Sequence, residues 1–492
     1  MTAHLPILIV VLPLAGAAAV ALLGLRAGRA ARGLALAILA ASAACAAAAL
    51  AAAVRTGPLR YFLGGWAPPW GIEYVVDPLA GGMATLVAVF ALAAAVYAGP
   101  FVERLRPRDA GAFHAVYLLL TAGLLGIVVT GDLFNLYVFL EISSLAAYGL
   151  LALGGGRSVL ASFRYLLLGT AAGTLYLLGV GCLYAVTGTL NMADVGARLP
   201  GQFDSPAVTM AIVLIVVGLA VKMALFPLHG WLPDVYTYAP APVTAFVAGV
   251  MTKVSAYALL RVLFFVLGLG GAASDVLPVL GWVASAAALA GSVMALAQTD
   301  VRRILAYSSV GQMGYIVLGF AIGTPLALTG ALLHVLNHAV MKACLFLSAG
   351  TVLYRTGESQ LHGYEGVARH MPLTLGAFAI AAASIVGLPP TGGFFSKWYL
   401  LTAAFDAGRW PFAVVLAVSS LLSAVYMFRV IERAYLGEAP EPAPGTAPPG
   451  EAPAGMLAPT LALAAVVLLL GIFNEQVVSH VIAFALPPAR GH

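Results

Sequence analysis

Residues 217–230 read Val217-Gly218-Leu219-Ala220-Val221-Lys222-Met223-Ala224-Leu225-Phe226-Pro227-Leu228-His229-Gly230. A lysine closes an apolar run and a proline follows five residues later. Proline removes a backbone donor and clashes with the preceding turn, so a helix must break here. A second stretch, Gly387-Leu388-Pro389-Pro390-Thr391-Gly392-Gly393, breaks another apolar run just before Lys397. Freed backbone groups at membrane depth survive only where protein buries them or where they line a cavity. Two such interrupted helices at corresponding places in two halves of a transporter mark its ion or substrate site. A kink with a packing role alone is the competing reading.

The surrounding chain fits a membrane setting. It has 492 residues, 62% hydrophobic and 9% charged, with a mean hydropathy of +1.01. A soluble domain carries about 25% charged residues. A bilayer crossing needs roughly 20 predominantly apolar residues. On that measure spans are expected near 5–25, 33–54, 78–98, 113–130, 132–153, 160–187 and 207–226. The series continues near 242–267, 277–297, 304–322, 327–350, 372–404, 411–431 and 457–474. The expected fold is an all-α integral membrane protein of about fourteen transmembrane helices. It is built from two inverted five-helix repeats, each with a broken helix. The expected divisions are 1–112 (helices one to three with an interfacial segment), 113–267 (first repeat), 277–433 (second repeat) and 434–492 (a Pro/Ala loop and helix fourteen). The first span has no cationic segment before it and is too long for a signal-peptide core. Long continuous apolar runs also exclude a β-barrel of short alternating strands.

Twenty of the 24 basic residues are arginine. One set of loops holds Arg26, Arg29, Arg32, Arg104, Arg106, Arg108, Arg157, Arg302, Arg303, Arg355, Arg369 and Arg433. The other holds only Arg55, Arg60, Arg198, Arg409 and Arg490. Positive loops stay in the cytoplasm, so both termini are expected outside a cell inner membrane. Residues 55–77 are too broken by Gly and Pro for a helix, and their Trp and Tyr suit the lipid–water interface. Residues 437–455 read as a flexible cytoplasmic loop. Net charge of +5 is not gathered into a basic, aromatic-studded patch, which argues against nucleic-acid binding. Cys45, Cys182 and Cys344 are scattered singly, with no paired spacing for disulfides, zinc or iron–sulfur clusters. The Gly268-Leu269-Gly270-Gly271 run lacks the third spaced glycine of a dinucleotide loop. No cofactor or metal is expected.

The four lysines, Lys222, Lys253, Lys342 and Lys397, all lie inside apolar runs. A charge at the centre of a spanning helix costs roughly 2.5–3.5 kcal/mol on insertion scales. Water, counter-charges and function must offset that cost. Glu141 sits mid-span with no charged residue within a turn, and Lys222 is the leading candidate for its partner. Attraction and burial act in opposite senses on such a pair, which leaves its protonation adjustable. A static buried ion pair is the alternative. Asp132 lies at the membrane boundary, either as a helix cap or in a functional role. His334, His338 and Lys342 recur every four residues on one helix face. Two histidines at that spacing suit zinc, but Val335 stands where the HExxH motif needs glutamate. A proton relay fits better, because histidine titrates near neutral pH. A hydrogen-bonded core histidine is the alternative for His334. Helix order places Lys222, Lys253, His338, Lys342 and Lys397 in one row along the membrane midplane.

Five stretches in order carry a resemblance: Gly131-Asp132-Leu133-Phe134-Asn135 through Glu141, Lys222 with FPLHGWLPDVYTYAP (226–240), AYSSVGQMGYIVLG (306–319), HAVMKACLFLSAG (338–350) and GLPPTGGFFSKW (387–398). Together they resemble the proton-conducting antiporter-like membrane subunits, which include those of respiratory complex I and of Mrp-type cation/proton antiporters. The fifth-span motif and the length look most like the D subunit of the Mrp antiporter. The resemblance implies two inverted repeats, each offering a half-channel. It also implies Glu141 and Lys222 as the pair whose separation drives proton movement, Lys253 and His338 as relays, and Lys397 as the terminal site. Lys342 is matched only in larger members. The chain ends soon after span fourteen and is expected to lack their long lateral helix.

Two functions follow as expectations. The first is a proton/cation-translocating subunit of a multisubunit Na⁺ or K⁺/H⁺ antiporter, with other membrane subunits as partners. The second is the proton-pumping arm of a complex I-like NADH dehydrogenase or membrane-bound hydrogenase, driven by redox centres on partner chains. A stand-alone solute symporter is disfavoured, because the buried groups form a row and not one pocket.

Overall fold

The computed structural model describes residues 2–25, 27–268, 276–438 and 450–487. Arg26, Arg490, the Leu269-Gly270-Gly271 run and residues 439–449 of the Pro/Ala loop lie outside them. In chain order the spans are α1 (Leu5–Gly24), α2 (Gly28–Thr56), α3 (Pro78–Tyr97), α4 (Pro107–Val129), α5 (Leu133–Ala152) and α6 (Arg157–Thr187). A broken helix follows as α7a (Pro206–Lys222) and α7b (Leu232–Tyr238). Next come α8 (Ala241–Val266), α9 (Val276–Leu296), α10 (Val301–Ile322) and α11 (Pro325–Thr356). The second broken helix is α12a (Pro372–Val386) and α12b (Gly392–Asp406), and α13 (Trp410–Leu436) and α14 (Ala454–Ile472) close the series.

Twelve of these, among the described residues, are long and apolar enough to cross a membrane. The two that fall short are the interrupted ones. Span 207–226 ends four residues early because Met223 leaves the helix, and span 372–404 is two 15-residue halves. One departure from an all-helical chain is a hairpin of β1 (Leu59–Phe62) and β2 (Glu73–Val76), paired Leu59 to Val76. Its tip exposes Trp66 and Trp70.

Caps explain many of the boundaries. Prolines open α3, α4, α7a, α11 and α12a, where a missing N–H costs nothing. Asp132 accepts the Asn135 amide at 2.7 Å and Asp300 accepts the Arg303 amide at 3.0 Å, so Asp132 is the N-cap of α5. Lipid supplies no hydrophobic drive between helices, so close backbone approach does that work. Thus α9 and α10 meet where a Cβ on Gly291 would lie 2.4 Å from the Gly311 nitrogen. In the middle, α8, α10 and α11 are 100%, 94% and 94% buried over their apolar windows.

One bonding pattern occurs twice. After α6, Leu133 N donates to Leu190 O at 2.9 Å and Met192 N to Gly131 O at 2.8 Å. After α11, Val301 N donates to Ser359 O and Leu361 N to Thr299 O, both at 2.8 Å. In each case a left-handed glycine, Gly188 or Gly357, ends the long helix. The residue three positions on then bridges to the capping aspartate, as Asn191 to Asp132 and Gln360 to Asp300. The α4–α7 and α9–α12 segments are therefore built alike at this end.

Candidate functional site

Lys222 is the last residue of α7a and Glu141 the ninth of α5; their Nζ and Oε1 stand 3.2 Å apart. Ser144, one turn beyond Glu141, accepts a second bond from Lys222 at 2.7 Å. The lysine side chain is 2% exposed and the carboxylate 23%. Two unit charges at about 4 Å attract by about 4 kcal/mol at an effective dielectric of 20, before desolvation is subtracted. Glu141 reaches this place because α6 is bare there: a Cβ on Gly173 would lie 2.3 Å from its Oε1. The break itself is held by Trp231, whose indole N–H donates to Val221 O at 2.8 Å while its ring stacks on Tyr165 at 3.8 Å.

On α8 the backbone departs from an α-helix twice, as π turns at Val247–Met251 and Arg261–Val266. A π turn releases carbonyls from the i−4 ladder and is common at functional sites. Lys253 follows the first and donates its Nζ to Ala248 O. Arg261, in the second, pairs with Asp77 and donates to the Tyr257 hydroxyl at 2.9 Å, tying α8 to the start of α3. Lys253 is fully buried, as are His334, His338 and Lys342 on α11.

The α11 stripe divides. Among the described residues His338 has no hydrogen-bond partner at either ring nitrogen, and it stacks on His334 at 5.9 Å. His334 is bonded at both, to Ser396 Oγ at 2.9 Å and Gln312 Oε1 at 3.0 Å. The Ser396 hydroxyl also reaches Gly393 O at 3.1 Å. It donates to the imidazole when His334 is neutral and to Gly393 when His334 carries both protons. Lys342 instead turns to α10, donating to Leu305 O at 2.8 Å and Ser308 Oγ at 2.9 Å.

Lys397 lies on the far side of its break. It donates back to the terminal carbonyls of α12a, Ile385 O at 2.6 Å and Val386 O at 3.1 Å, and to Ser420 Oγ at 2.7 Å. Its Nζ stands 5.0 Å over the Tyr315 ring. Carbonyls at a helix C-terminus attract a cation, and Lys397 uses them in place of a counter-ion. Asn337 fixes the break, donating to Gly392 O at 2.6 Å.

Helix order suggests a single row, and the structure changes its middle. His334 reaches α12b through Ser396, whereas Lys342 leaves the line toward α10. Arg302, read as a loop residue, is buried in the first turn of α10 and bonds Ala239 O at 2.5 Å. Reading by charge misses the neutral partners Ser144, Ser308, Gln312, Ser396 and Ser420. Two of them have a local signal: Ser144 stands three positions from Glu141, and Ser396 directly precedes Lys397. Among the described residues no three His, Cys, Asp or Glu side chains are grouped to hold a metal.

A family model described as NADH:quinone oxidoreductase/Mrp antiporter, TM, matches residues 130–423. The chain is 59% identical over 497 residues to a Desulforudis audaxviator (strain MP104C) protein named NADH-quinone oxidoreductase subunit N, covering 99% of each. It is 33% identical over 421 residues to the D subunit of the Na(+)/H(+) antiporter of Bacillus subtilis (strain 168), covering 85% of this chain and 84% of that one. Its fold matches a chain of the Mrp complex from Dietzia sp. DQ12-45-1b with a TM-score of 0.90 at 31% identity, covering 98% and 97%.

Proposed function

The chain belongs to the NADH:quinone oxidoreductase/Mrp antiporter transmembrane family, and on that premise we propose that it moves protons in a multisubunit Na⁺ or K⁺/H⁺ antiporter. The observation that carries this reading is the Lys222–Glu141 pair, 3.2 Å apart beside a broken helix. Separating the pair frees Lys222 to give up its proton toward Lys253. His338, open at both nitrogens, takes the proton on, and His334 with Ser396 delivers it to the α12 break. Lys397 is the terminal site. The division into inverted repeats 113–267 and 277–433 is supported by the bonding pattern that recurs around Asp132 and Asp300. The arginine-rich loops face the cytoplasm of a cell inner membrane, with both termini outside. Partners are further membrane subunits.

A second reading, the proton-pumping arm of a redox-driven complex, is favoured by the 59% identity to a protein named NADH-quinone oxidoreductase subunit N. Everted vesicles holding the assembled complex separate the two. Na⁺- or K⁺-induced collapse of an imposed pH gradient supports antiport. Acidification driven by an electron donor, with no response to either cation, supports the redox arm. In whichever mode operates, Glu141→Gln and Lys222→Ala each abolish proton movement while leaving assembly intact. Wild-type rates in both would sink the pair.

A further inference from the structure

We propose that α13 carries a second proton route, made of hydroxyl groups, that joins Lys342 to Lys397 without passing through the histidines. It rests on the proton-moving role proposed above. Lys342 donates to Ser308 Oγ at 2.9 Å. The Tyr426 hydroxyl stands 3.0 Å from Ser308 Oγ and 2.9 Å from Ser423 Oγ. A phenol carries one proton, so it donates to one of these serines and accepts from the other. At the other end, Ser420 Oγ accepts from Lys397 at 2.7 Å and stands 3.1 Å from Val386 O.

The placement on α13 is selective. Ser419, Ser423 and Tyr426 recur at i, i+4 and i+7, the spacing of one helix face, and all three are buried. The opposite face exposes Val418, Leu421, Val425 and Phe428. Serines can be buried merely by bonding the preceding turn, as Ser423 does to Ser419 O at 2.8 Å. That habit does not account for Tyr426 meeting the serine that holds Lys342. One gap remains, the turn between Ser423 and Ser420, three positions apart and about 5–6 Å between Cβ atoms, which a single bridging water would span.

Along this route the Lys342 ammonium gives a proton to Ser308 as Ser308 passes its own to Tyr426. The exchange continues through Ser423, the water and Ser420 to the Lys397 amine. Lys342 ends as an amine and Lys397 as an ammonium. Every hydroxyl between them ends neutral with its bond reversed.

The test measures proton flux by the assembled complex in everted vesicles, with complex content read from native gels. Tyr426→Phe is expected to lower flux to roughly half, as when one of two independent routes is lost. His338→Gln is expected to leave a residual flux that Tyr426→Phe then removes. Ser308→Ala should match Tyr426→Phe and Ser308→Thr should restore flux, an order that packing volume alone does not produce. The proposal is overturned if Tyr426→Phe changes nothing in either background, or if His338→Gln alone abolishes flux. Full flux in Glu141→Gln, run alongside, overturns the functional reading instead.

Discussion

The two broken helices hold their lysines by opposite means. At α7, Lys222 precedes the break and meets a carboxylate on a different helix at 3.2 Å. At α12, Lys397 follows the break and meets two carbonyls and a serine, all neutral. The reason lies in the repeated architecture. Glu141 stands nine residues after the capping Asp132, and nine residues after the matching Asp300 stands Ser309. Ser309 bonds the Leu305 carbonyl of its own helix, at 3.0 Å. The second half therefore has the same frame without the counter-charge, and its lysine leans on the C-terminal dipole of the half-helix before the break, α12a. Related frames thus offer one site balanced by a full opposite charge and one balanced by partial charges.

Several substitutions sharpen or break that contrast. The largest effect is expected for Lys222→Arg and Lys397→Arg. Arginine keeps the charge and the donors but does not release its proton. Each should lower flux on the order of 100-fold, the scale of losing an acid–base group. Wild-type flux in Lys397→Arg would show that the second lysine serves only as a fixed charge.

A smaller effect is expected from crowding the two seats. A methyl at Gly173 would press on Glu141 Oε1, and one at Gly471 of α14 would stand 1.8 Å from Pro390 O in the α12 break. Overpacking of this kind costs about 1–3 kcal/mol, equivalent to roughly tenfold in flux at about 1.4 kcal/mol. Gly173→Ala should cause no further loss in a Glu141→Gln background, whereas Gly471→Ala should lower flux and thermal stability together. Equal losses for Gly173→Ala with and without Glu141 would detach the glycine from the carboxylate.

The smallest change is expected for Trp231→Phe, which keeps the stacking on Tyr165 but removes the indole bond to Val221 O, leaving that carbonyl the Ala224 amide at 3.0 Å. Losing one hydrogen bond costs about 0.5–1.5 kcal/mol, seen as a slightly lower unfolding midpoint in detergent with little change in flux. An unaltered midpoint would mean that the Ala224 amide alone satisfies the carbonyl at the break.

Much of this was legible beforehand, for a physical reason. Buried charge and broken helices are costly in a membrane, so Lys222, Lys397, Glu141 and the two proline runs stand out of an apolar background. Neutral partners do not. A serine costs little at depth, and nothing local distinguishes Ser144 or Ser308, which hold lysines, from Ser309, which bonds its own helix. The repeat was visible in its breaks but not in the pairing around Asp132 and Asp300, because backbone bonds between loops leave almost no residue signature.

The sequence by itself therefore determined the membrane class, the family and the set of titratable groups, since these follow from composition, spacing and short motifs. Only the tertiary structure decided which groups meet. It set Glu141 against the bare face of Gly173, turned Lys342 out of the row toward α10, and left His338 open at both nitrogens. It also gave Lys397 carbonyls where Lys222 has a carboxylate. Contacts between helices far apart in the chain depend on packing angles and backbone approach, which a linear pattern does not carry.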